Sequence, residues 1–259
     1  MQPHSMIKTA DEIQKMRVAG RLAAEVLDFI TPHVKVGVTT SELDTLCHDY
    51  IVYQQKAIPA CIGYRGYQHT TCTSVNHQVC HGIPSDKKLK NGDIINIDLV
   101  VRKDGYHGDT SKMFIVGKGS VLAQRLVQVT QECLYKAIKM VKPGGRVGDI
   151  GAIIQEHAEA HRFSVVRDFC GHGIGSGMHE EPNILHYGKS NTGITLQAGM
   201  IFTIEPMINA GKAETKVLLD GWTAVTKDHS LSAQWEHTIL VTESGYEVLT
   251  QRDEEYSFF

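Results

Sequence analysis

The sequence repeats two of its own segments at one common spacing, and this repeat is the strongest constraint on the fold. NGDIINIDL, which begins at Asn91, aligns with AGMIFTIEP, which begins at Ala198. VKVGVTTSEL from Val34 aligns with VKPGGRVGDI from Val141, and the two pairs have the same offset along the chain. Because two independent pairs share one offset, we expect an internally duplicated fold.

Each copy of the first segment predicts a buried strand that carries an acid. Apolar and β-branched residues dominate the strand around Asp98, and Glu205 takes the same position in the second copy. Side chains alternate along a strand, so one face of each copy is apolar and the other is polar. The apolar faces comprise Ile95, Ile97 and Leu99 in one copy and Phe202 and Ile204 in the other. The opposite faces carry Asn96 with Asp98, and Thr203 with Glu205. An unpaired carboxylate buried there would cost several kcal/mol, so each acid should have a cation or a full set of donors.

A second acid is predicted beside Asp98 by the turn that follows the strand. Asp104-Gly105 is a favoured dipeptide for a two-residue hairpin turn. With that turn, the facing pairs are Lys103 with Tyr106, Val100 with Asp109, and Asp98 with Ser111. Asp98 and Asp109 are then diagonal neighbours on one face, with backbones roughly 7–8 Å apart. Two converging carboxylates at that distance favour a divalent metal.

The remaining elements predict an α+β protein. Thr9 and Glu12 form a capping-box pattern that opens a helix to about Ile30, and a second helix is expected from Ser41 to Gln54. The further predictions are loops and short strands over 58–84, helices at about 120–140 and 148–161, and strands near 200–208 and 234–241. Helices on one side of a largely antiparallel sheet define this class.

Length and composition favour one globular domain. We expect a disordered lead-in over residues 1–7 and a single domain over 8–259, with halves of about 8–115 and 120–250 related by a pseudo-twofold axis. A net charge of −3 without a basic run argues against a dedicated nucleic-acid binder, although transient ribosome contact stays open. Six cysteines without a CxxC pair, and no signal peptide, predict reduced thiols in a cytoplasmic protein. No apolar run reaches the roughly 20 residues needed to cross a bilayer, and we expect a monomer.

The segment FCGHGIGSGMHEEPNILHY, from Phe169 to Tyr187, is the most informative motif. His172 lies between glycines, which leave room for a ligand or metal to approach closely. We interpret His186 as a structural histidine. Glu236 shares a strand face with Gln234 and Thr238, and it could be either a salt-bridge partner or a further metal ligand.

Taken together, these motifs resemble those of type I methionine aminopeptidases, which have the pita-bread fold. The resemblance covers nearly the whole chain and includes the duplication and the GHGIG…HEEP segment. The matching residues occur in the family's order: Asp98, Asp109, His172, Glu205 and Glu236 as metal ligands, with His81 and His179 as outer histidines. The interval between His172 and Glu205 is too short for the helical insert of type II enzymes.

The resemblance implies a dinuclear metal centre. Four carboxylates carry −4, which two divalent ions would balance, and the ligand set suits Mn, Fe, Co or Zn. By resemblance, Asp109 and Glu236 bridge the ions, Asp98 completes one shell, and His172 with Glu205 completes the other. A hydroxide held between the metals would attack the scissile carbonyl. A single-metal site stays an open alternative.

The implied reaction is hydrolytic removal of the initiator methionine from a peptide with a free N-terminus, with a small second residue preferred. Glu205 would also shuttle a proton, His179 would lie by the scissile carbonyl, and His81 would lie near the amide nitrogen. Side chains matching the methionine pocket are Cys61, Tyr64, Tyr67, Cys72, His81, Met178, His179 and Trp222. Sulfur–aromatic contacts, worth about 0.3–1.5 kcal/mol, suit such a pocket, although Tyr64, Tyr67 and Trp222 could instead be core aromatics. Met178 departs from the family, in which bacterial members often have Phe.

One further candidate site and two alternative functions complete the predictions. Asn76 and Ser232 match positions that bind a monovalent cation in relatives, but Gln78 replaces a small apolar residue there. A proline-specific aminopeptidase or prolidase of the same fold would keep the five ligands. A metal-free relative that acts as an interaction protein would usually lose ligands, whereas all five are present.

Overall fold

The computed structural model describes residues 5–258. Part of the predicted lead-in, residues 1–4, lies outside the described residues. The rest of it contacts the domain, since Ile7 forms a β-bridge with Met200 and the main-chain N–H of Lys8 donates to the Gly199 carbonyl at 2.8 Å.

The predicted helices are present in the described part of the chain. They are α1 (Ala10–Ile30), α2 (Thr40–Asp49), α3 (Val121–Ile138) and α4 (Val147–Ala160). Thr9 and Glu12 form the predicted capping box, in which the hydroxyl accepts from the Glu12 amide and the carboxylate accepts from the Thr9 amide. The second helix reaches Gln54 as predicted, but its end, Tyr50–Gln54, is wound as a π-helix. None of the helices within 5–258 combines the length and apolar character needed to cross a bilayer.

The strands are short and pair only antiparallel within the described residues, as the α+β prediction required. In the first half they are β1 (Ile58–Pro59), β2 (Thr71–Val75), β3 (Gln78–Cys80), β4 (Ile94–Lys103) and β5 (Tyr106–Ile115). In the second half they are β6 (Ser164–Val165), β7 (Gly171–Gly173), β8 (Glu180–Ile184), β9 (Ile201–Ile204), β10 (Met207–Asn209), β11 (Thr215–Val217), β12 (Ala224–Thr226), β13 (Ser232–Gln234), β14 (His237–Val241) and β15 (Tyr246–Val248).

The hairpin β4–β5 has the predicted register. Asp98 faces Ser111 and Val100 faces Asp109. Asp104 and its following glycine both have left-handed φ angles, 51° and 86°, as a type I′ turn requires.

The two other predicted strands are each interrupted at an acid. The strand near 200–208 breaks between β9 and β10 at Glu205-Pro206, because proline has no N–H for the ladder. The strand near 234–241 breaks between β13 and β14, where the Glu236 N–H donates to the Ser111 carbonyl at 3.3 Å. This bridge ties the second half to β5 of the first.

Main-chain contacts repeat at the offset seen in the sequence. The Gly37 N–H donates to the Leu89 carbonyl at 2.8 Å, and at the equivalent positions of the second half the Gly144 N–H donates to the Leu196 carbonyl at 2.9 Å. The first residues of α2 and α4, and those of β4 and β9, are separated by this offset as well. These repeats support the prediction of duplicated halves.

Each half has its own apolar cluster, which fixes the direction of the acids. Ile95, Ile97 and Leu99 pack in one cluster with residues of α1 and α2. Phe202 and Ile204 pack in another with residues of α3 and α4. Alternation along the strand then turns Asp98 away from its helices, toward the other half.

A buried ionic network lies close behind the acids. Arg252 has no exposed surface, and its guanidinium donates to Glu255 and to the Thr110 hydroxyl, the latter at 3.2 Å. Tyr135 and His237 also contact the Glu255 carboxylate, at 2.6 and 3.1 Å. Because Thr110 follows Asp109 and His237 follows Glu236, the network braces the strand segments that carry both acids.

We expect loss of Arg252 to destabilise the fold strongly. Arg252→Met removes the cation paired with the buried Glu255 carboxylate, which costs about 3–5 kcal/mol of unfolding free energy, measurable by urea denaturation. The matched control is Arg17→Met, because Arg17 and Glu247 form a pair whose side chains are 38% and 37% exposed, and such pairs contribute about 0–1 kcal/mol. Equal losses in the two variants would contradict this role for the network.

Candidate metal centre and its cavity

The five predicted ligands converge on one cavity of about 530 Å³. Asp98 and Asp109 come from the hairpin, His172 from β7, and Glu205 and Glu236 from the interruptions in the two later strands. Each lines the cavity, although Asp98 and Glu205 belong to different copies of the repeat and are far apart in the chain. The duplication therefore brings acids from both halves to a single place.

His172 lies close to two of the acids. Its Nε2 lies 3.7 Å from Oδ2 of Asp109 and 3.6 Å from Oε1 of Glu205. One ligand atom each from Asp109, His172 and Glu236 lies within 4.8 Å of the others. Atoms at such separations can share one ion with little movement.

The glycines around His172 are needed for close packing. A Cβ at Gly171 would collide with the Thr203 carbonyl oxygen, and one at Gly173 would collide with that of Glu181. Nδ1 of His172 hydrogen-bonds to the Gly173 carbonyl at 2.9 Å, so Nδ1 carries the proton and Nε2 presents its lone pair to the acids.

Glu205 is held by three polar neighbours. The Thr203 hydroxyl donates to its Oε1 at 2.8 Å, and the Gln234 amide donates to its Oε2 at 3.3 Å. Its main-chain N–H donates to Nε2 of His186 at 3.2 Å. The sequence suggested a structural role for His186, and the structure places it as a support for the backbone of this acid.

The electrostatics of the cluster call for a cation. Burial raises the pKa of Asp98 to about 7 and that of Glu205 to about 8. The pKa values of Asp109 and Glu236 lie well above the usual range, mainly because of burial and in addition because of the neighbouring carboxylates. Burial lowers the pKa of His172 to about 4, so this ligand is neutral at pH 7.

The donor set fits divalent metal ions. Oε2 of Glu236 is buried and has no hydrogen-bond partner in the described part of the chain. Four acids and one neutral imidazole offer oxygen and nitrogen ligands with a charge of −4, which two divalent ions would balance.

Beside the acids lies an apolar cluster with aromatic members. Cys61, Tyr67, Cys72 and Met178 pack together, and Trp222 packs against them. The rings of Tyr67 and Trp222 meet edge to face at 4.9 Å. Cavity-lining residues include every member of the predicted pocket: Cys61, Tyr64, Tyr67, Cys72, His81, Met178, His179 and Trp222.

The two outer histidines also face this cavity. The His179 ring lies 4.1 Å from that of His172 and stacks on Tyr64 at 5.0 Å. Burial, together with His172, lowers the pKa of His179 to about 3. His81 meets Trp222 edge to face at 6.2 Å, and burial lowers its pKa as well. Both imidazoles are therefore neutral at pH 7.

Some contributors were not singled out in the sequence. Val100 lines the cavity and lies two residues after Asp98 on the same strand face. The alternation of side chains along the strand could therefore have predicted its position. Lys8 forms a buried ion pair with Glu180, whose other oxygen accepts from the Gly177 N–H at 2.8 Å. This pair braces the segment that carries His179, and no local pattern points to a partner so distant in the chain.

The structure also brings together the two residues matched to a monovalent cation site. The Ser232 N–H donates to the Asn76 carbonyl at 2.9 Å. The Ser232 hydroxyl is buried and has no hydrogen-bond partner within 5–258. Gln78 turns its side-chain oxygen to the Val75 N–H at 2.7 Å.

Comparison with known proteins gives consistent matches. The model of metallopeptidase family M24 matches residues 14–243. A methionine aminopeptidase of Salmonella typhimurium is 62% identical over 250 residues, or 96% of this chain and 95% of the relative. The crystal structure of methionine aminopeptidase from Rickettsia prowazekii superposes with a TM-score of 0.93 at 56% identity, covering 95% of this chain and 99% of that one. A prolidase from Pyrococcus furiosus, with a TM-score of 0.75 at 23% identity over 96% of this chain and 66% of its own, shares the fold.

We expect a divalent ion to stabilise the protein more at alkaline pH than at acidic pH. The pKa values of about 7 for Asp98 and about 8 for Glu205 lie above their ordinary values of 3.8 and 4.5. Without a cation the folded state therefore loses stability as the pH rises from about 4 through 8. Adding Mn²⁺ to chelator-treated protein should raise the Tm more at pH 8 than at pH 5.5. Asp109→Asn should reduce the rise, and equal rises at both pH values would contradict the assignment.

Proposed function

Because this chain belongs to metallopeptidase family M24 and removes N-terminal methionine from peptides, we propose that the acids and histidines of the cavity carry out this hydrolysis. The fold is the pita-bread fold. The observation that carries the proposal is the convergence of five ligand side chains, each buried or half-buried, beside an apolar pocket with aromatic walls.

Asp98, Asp109, His172, Glu205 and Glu236 would hold two divalent ions, each Co, Mn, Fe or Zn. Asp109 and Glu236 would be shared by both ions, Asp98 would belong to one, and His172 with Glu205 would belong to the other. The ions, when bound, neutralise the acids and lower the pKa of water, which supplies a nucleophile at neutral pH.

Glu205 and the two outer histidines have separate roles in proton transfer and in stabilising the charge that develops on the substrate. Glu205 would take a proton from the attacking water and pass it toward the amine. His179 is neutral and can donate a hydrogen bond to the carbonyl oxygen as negative charge develops on it. His81 lies near the scissile amide nitrogen.

The apolar cluster next to the acids binds the methionine side chain. An unbranched thioether fits a pocket walled by Tyr67, Trp222 and the two thiols Cys61 and Cys72. Burial raises the pKa of both thiols well above the usual range, so they stay uncharged beside an apolar ligand. Met178 supplies the flexible wall where relatives often have a ring.

Several finer features complete the proposal. The substrate is a peptide or nascent protein with a free N-terminal methionine and a small second residue. We propose a cytoplasmic monomer that makes transient contact with the ribosome. Asn76 and Ser232 would bind a monovalent cation. The Ser232 hydroxyl, which has no hydrogen-bond partner among residues 5–258, offers a ligand.

The proposed function can be tested by peptide selectivity and by a substitution of His179. The protein should hydrolyse Met-Ala-Ser in the presence of Mn²⁺, Met-Phe-Ser much more slowly, and Ala-Pro peptides not at all. Loss of the hydrogen-bond donor in His179→Ala should cost about 3 kcal/mol of transition-state stabilisation, or a roughly 100-fold loss in kcat. Equal rates on Met-Ala-Ser and Ala-Pro peptides, or full activity of the variant, would contradict the proposal.

The wall formed by Met178 allows a separate test of the methionine pocket. Met178→Ala removes apolar contact made in both the ground state and the transition state, so KM for Met-Ala-Ser should rise roughly five- to thirtyfold with kcat little changed. Met178→Leu conserves volume and should stay close to the parent. An unchanged KM in the alanine variant would place the methionine side chain elsewhere.

A further inference from the structure

The outer surface of the second half carries a cluster of metal-ligating side chains outside the cavity. His157 lies in the last turn of α4, and His161 is the residue that caps this helix, with its ring 4.5 Å from that of His157. Glu132 of α3 faces them. One ligand atom from each of the three residues lies within 4.8 Å of the other two. None of the three lines the cavity described above.

Hydrogen bonds fix the direction of each side chain in the cluster. Nδ1 of His161 lies 2.8 Å from the His157 carbonyl, so Nδ1 carries the proton and Nε2 carries the lone pair. Nε2 of His157 lies 2.8 Å from Oε2 of Glu132, and the Gln128 amide donates to the other oxygen of that carboxylate at 2.9 Å. Each prospective ligand therefore has a partner that fixes its direction.

The surroundings favour positive charge. The cluster lies at the C-terminal end of α4, where the helix dipole is negative. The guanidinium of Arg125 is engaged with the His161 carbonyl at 2.6 Å.

We propose that Glu132, His157 and His161 form a separate site for one borderline divalent ion, of the class of Zn²⁺, Ni²⁺ or Cu²⁺. Two imidazoles at i and i+4 with one carboxylate supply three nitrogen and oxygen ligands, the number that an open zinc site takes from a protein. The His157 nitrogen that now contacts Glu132 would face the ion, with its proton moved to Nδ1. The Glu132 side chain is 38% exposed, so water can reach the remaining coordination position.

The site would join the two helices that cover the second half. Glu132 belongs to α3, His157 to α4 and His161 to the residue that caps α4, so an ion held by all three links the two helices. Binding to the folded state alone raises stability by mass action, and a Zn²⁺-dependent rise in Tm should accompany occupancy.

Counting bound zinc tests the proposal. After equilibrium dialysis against Zn²⁺, the unmodified protein should hold one more equivalent than His161→Gln, whatever number the cavity holds in both. Loss of a ligand should weaken this site by more than the roughly 10–100-fold that loss of a supporting hydrogen bond costs. The control is His48→Gln, since His48 lies 3.2 Å from Asp49 but belongs to no three-ligand group among the described residues.

A second variant and a second readout separate this site from the cavity. Glu132→Gln alters the other helix and should lose the same equivalent of bound zinc. If His161→Gln fails to fold, the zinc content of Glu132→Gln still tests the site. Both variants should keep full activity on Met-Ala-Ser with Mn²⁺. Equal zinc content in the unmodified protein and in both variants would overturn the proposal, as would an equal loss of zinc in the His48 control.

Discussion

Mutual repulsion among four carboxylates taken out of water is the constraint on which the rest of this structure depends. Asp98, Asp109, Glu205 and Glu236 are brought so close that burial and their own charges raise the pKa of each. A protein tolerates such a cluster only when cations, donors or protons offset it. The supports found here, the neutral His172 and the donors Thr203 and Gln234, arrange the acids without neutralising them.

The duplicated architecture is well suited to concentrating charge in this way. Each half packs the apolar face of its strand on its own helices and so turns the opposite face toward the other half. The bridge between Ser111 and Glu236 closes the gap between the halves. Two apolar cores thus hold the acids from opposite sides. Apolar burial in these cores offsets the free energy that burying the acids costs.

Local patterns predicted the parts of the fold that depend on local chemistry. The capping box at Thr9 and the turn at Asp104 fixed a helix start and a hairpin register, since both depend on residues within a few positions of one another. The face of Asp98 followed from alternation. The interruption at Glu205 has a local signal in the following Pro206, which the prediction of one strand over 200–208 overlooked. The interruption at Glu236 has none, because it arises from a hydrogen bond to Ser111, far away in the chain. The pairing of Lys8 with Glu180 and of Glu132 with His157 depends on packing between segments, which no periodicity encodes.

The residues that precede the first helix help to hold His179 in position at the cavity. Ile7 is bridged to Met200, and the ammonium of Lys8 is buried against Glu180, one position beyond His179. Lys8, held in place by the bridge at Ile7, therefore supports the loop that carries this imidazole. Proteolytic cleavage just after residue 8 would remove both contacts and leave that loop without this support.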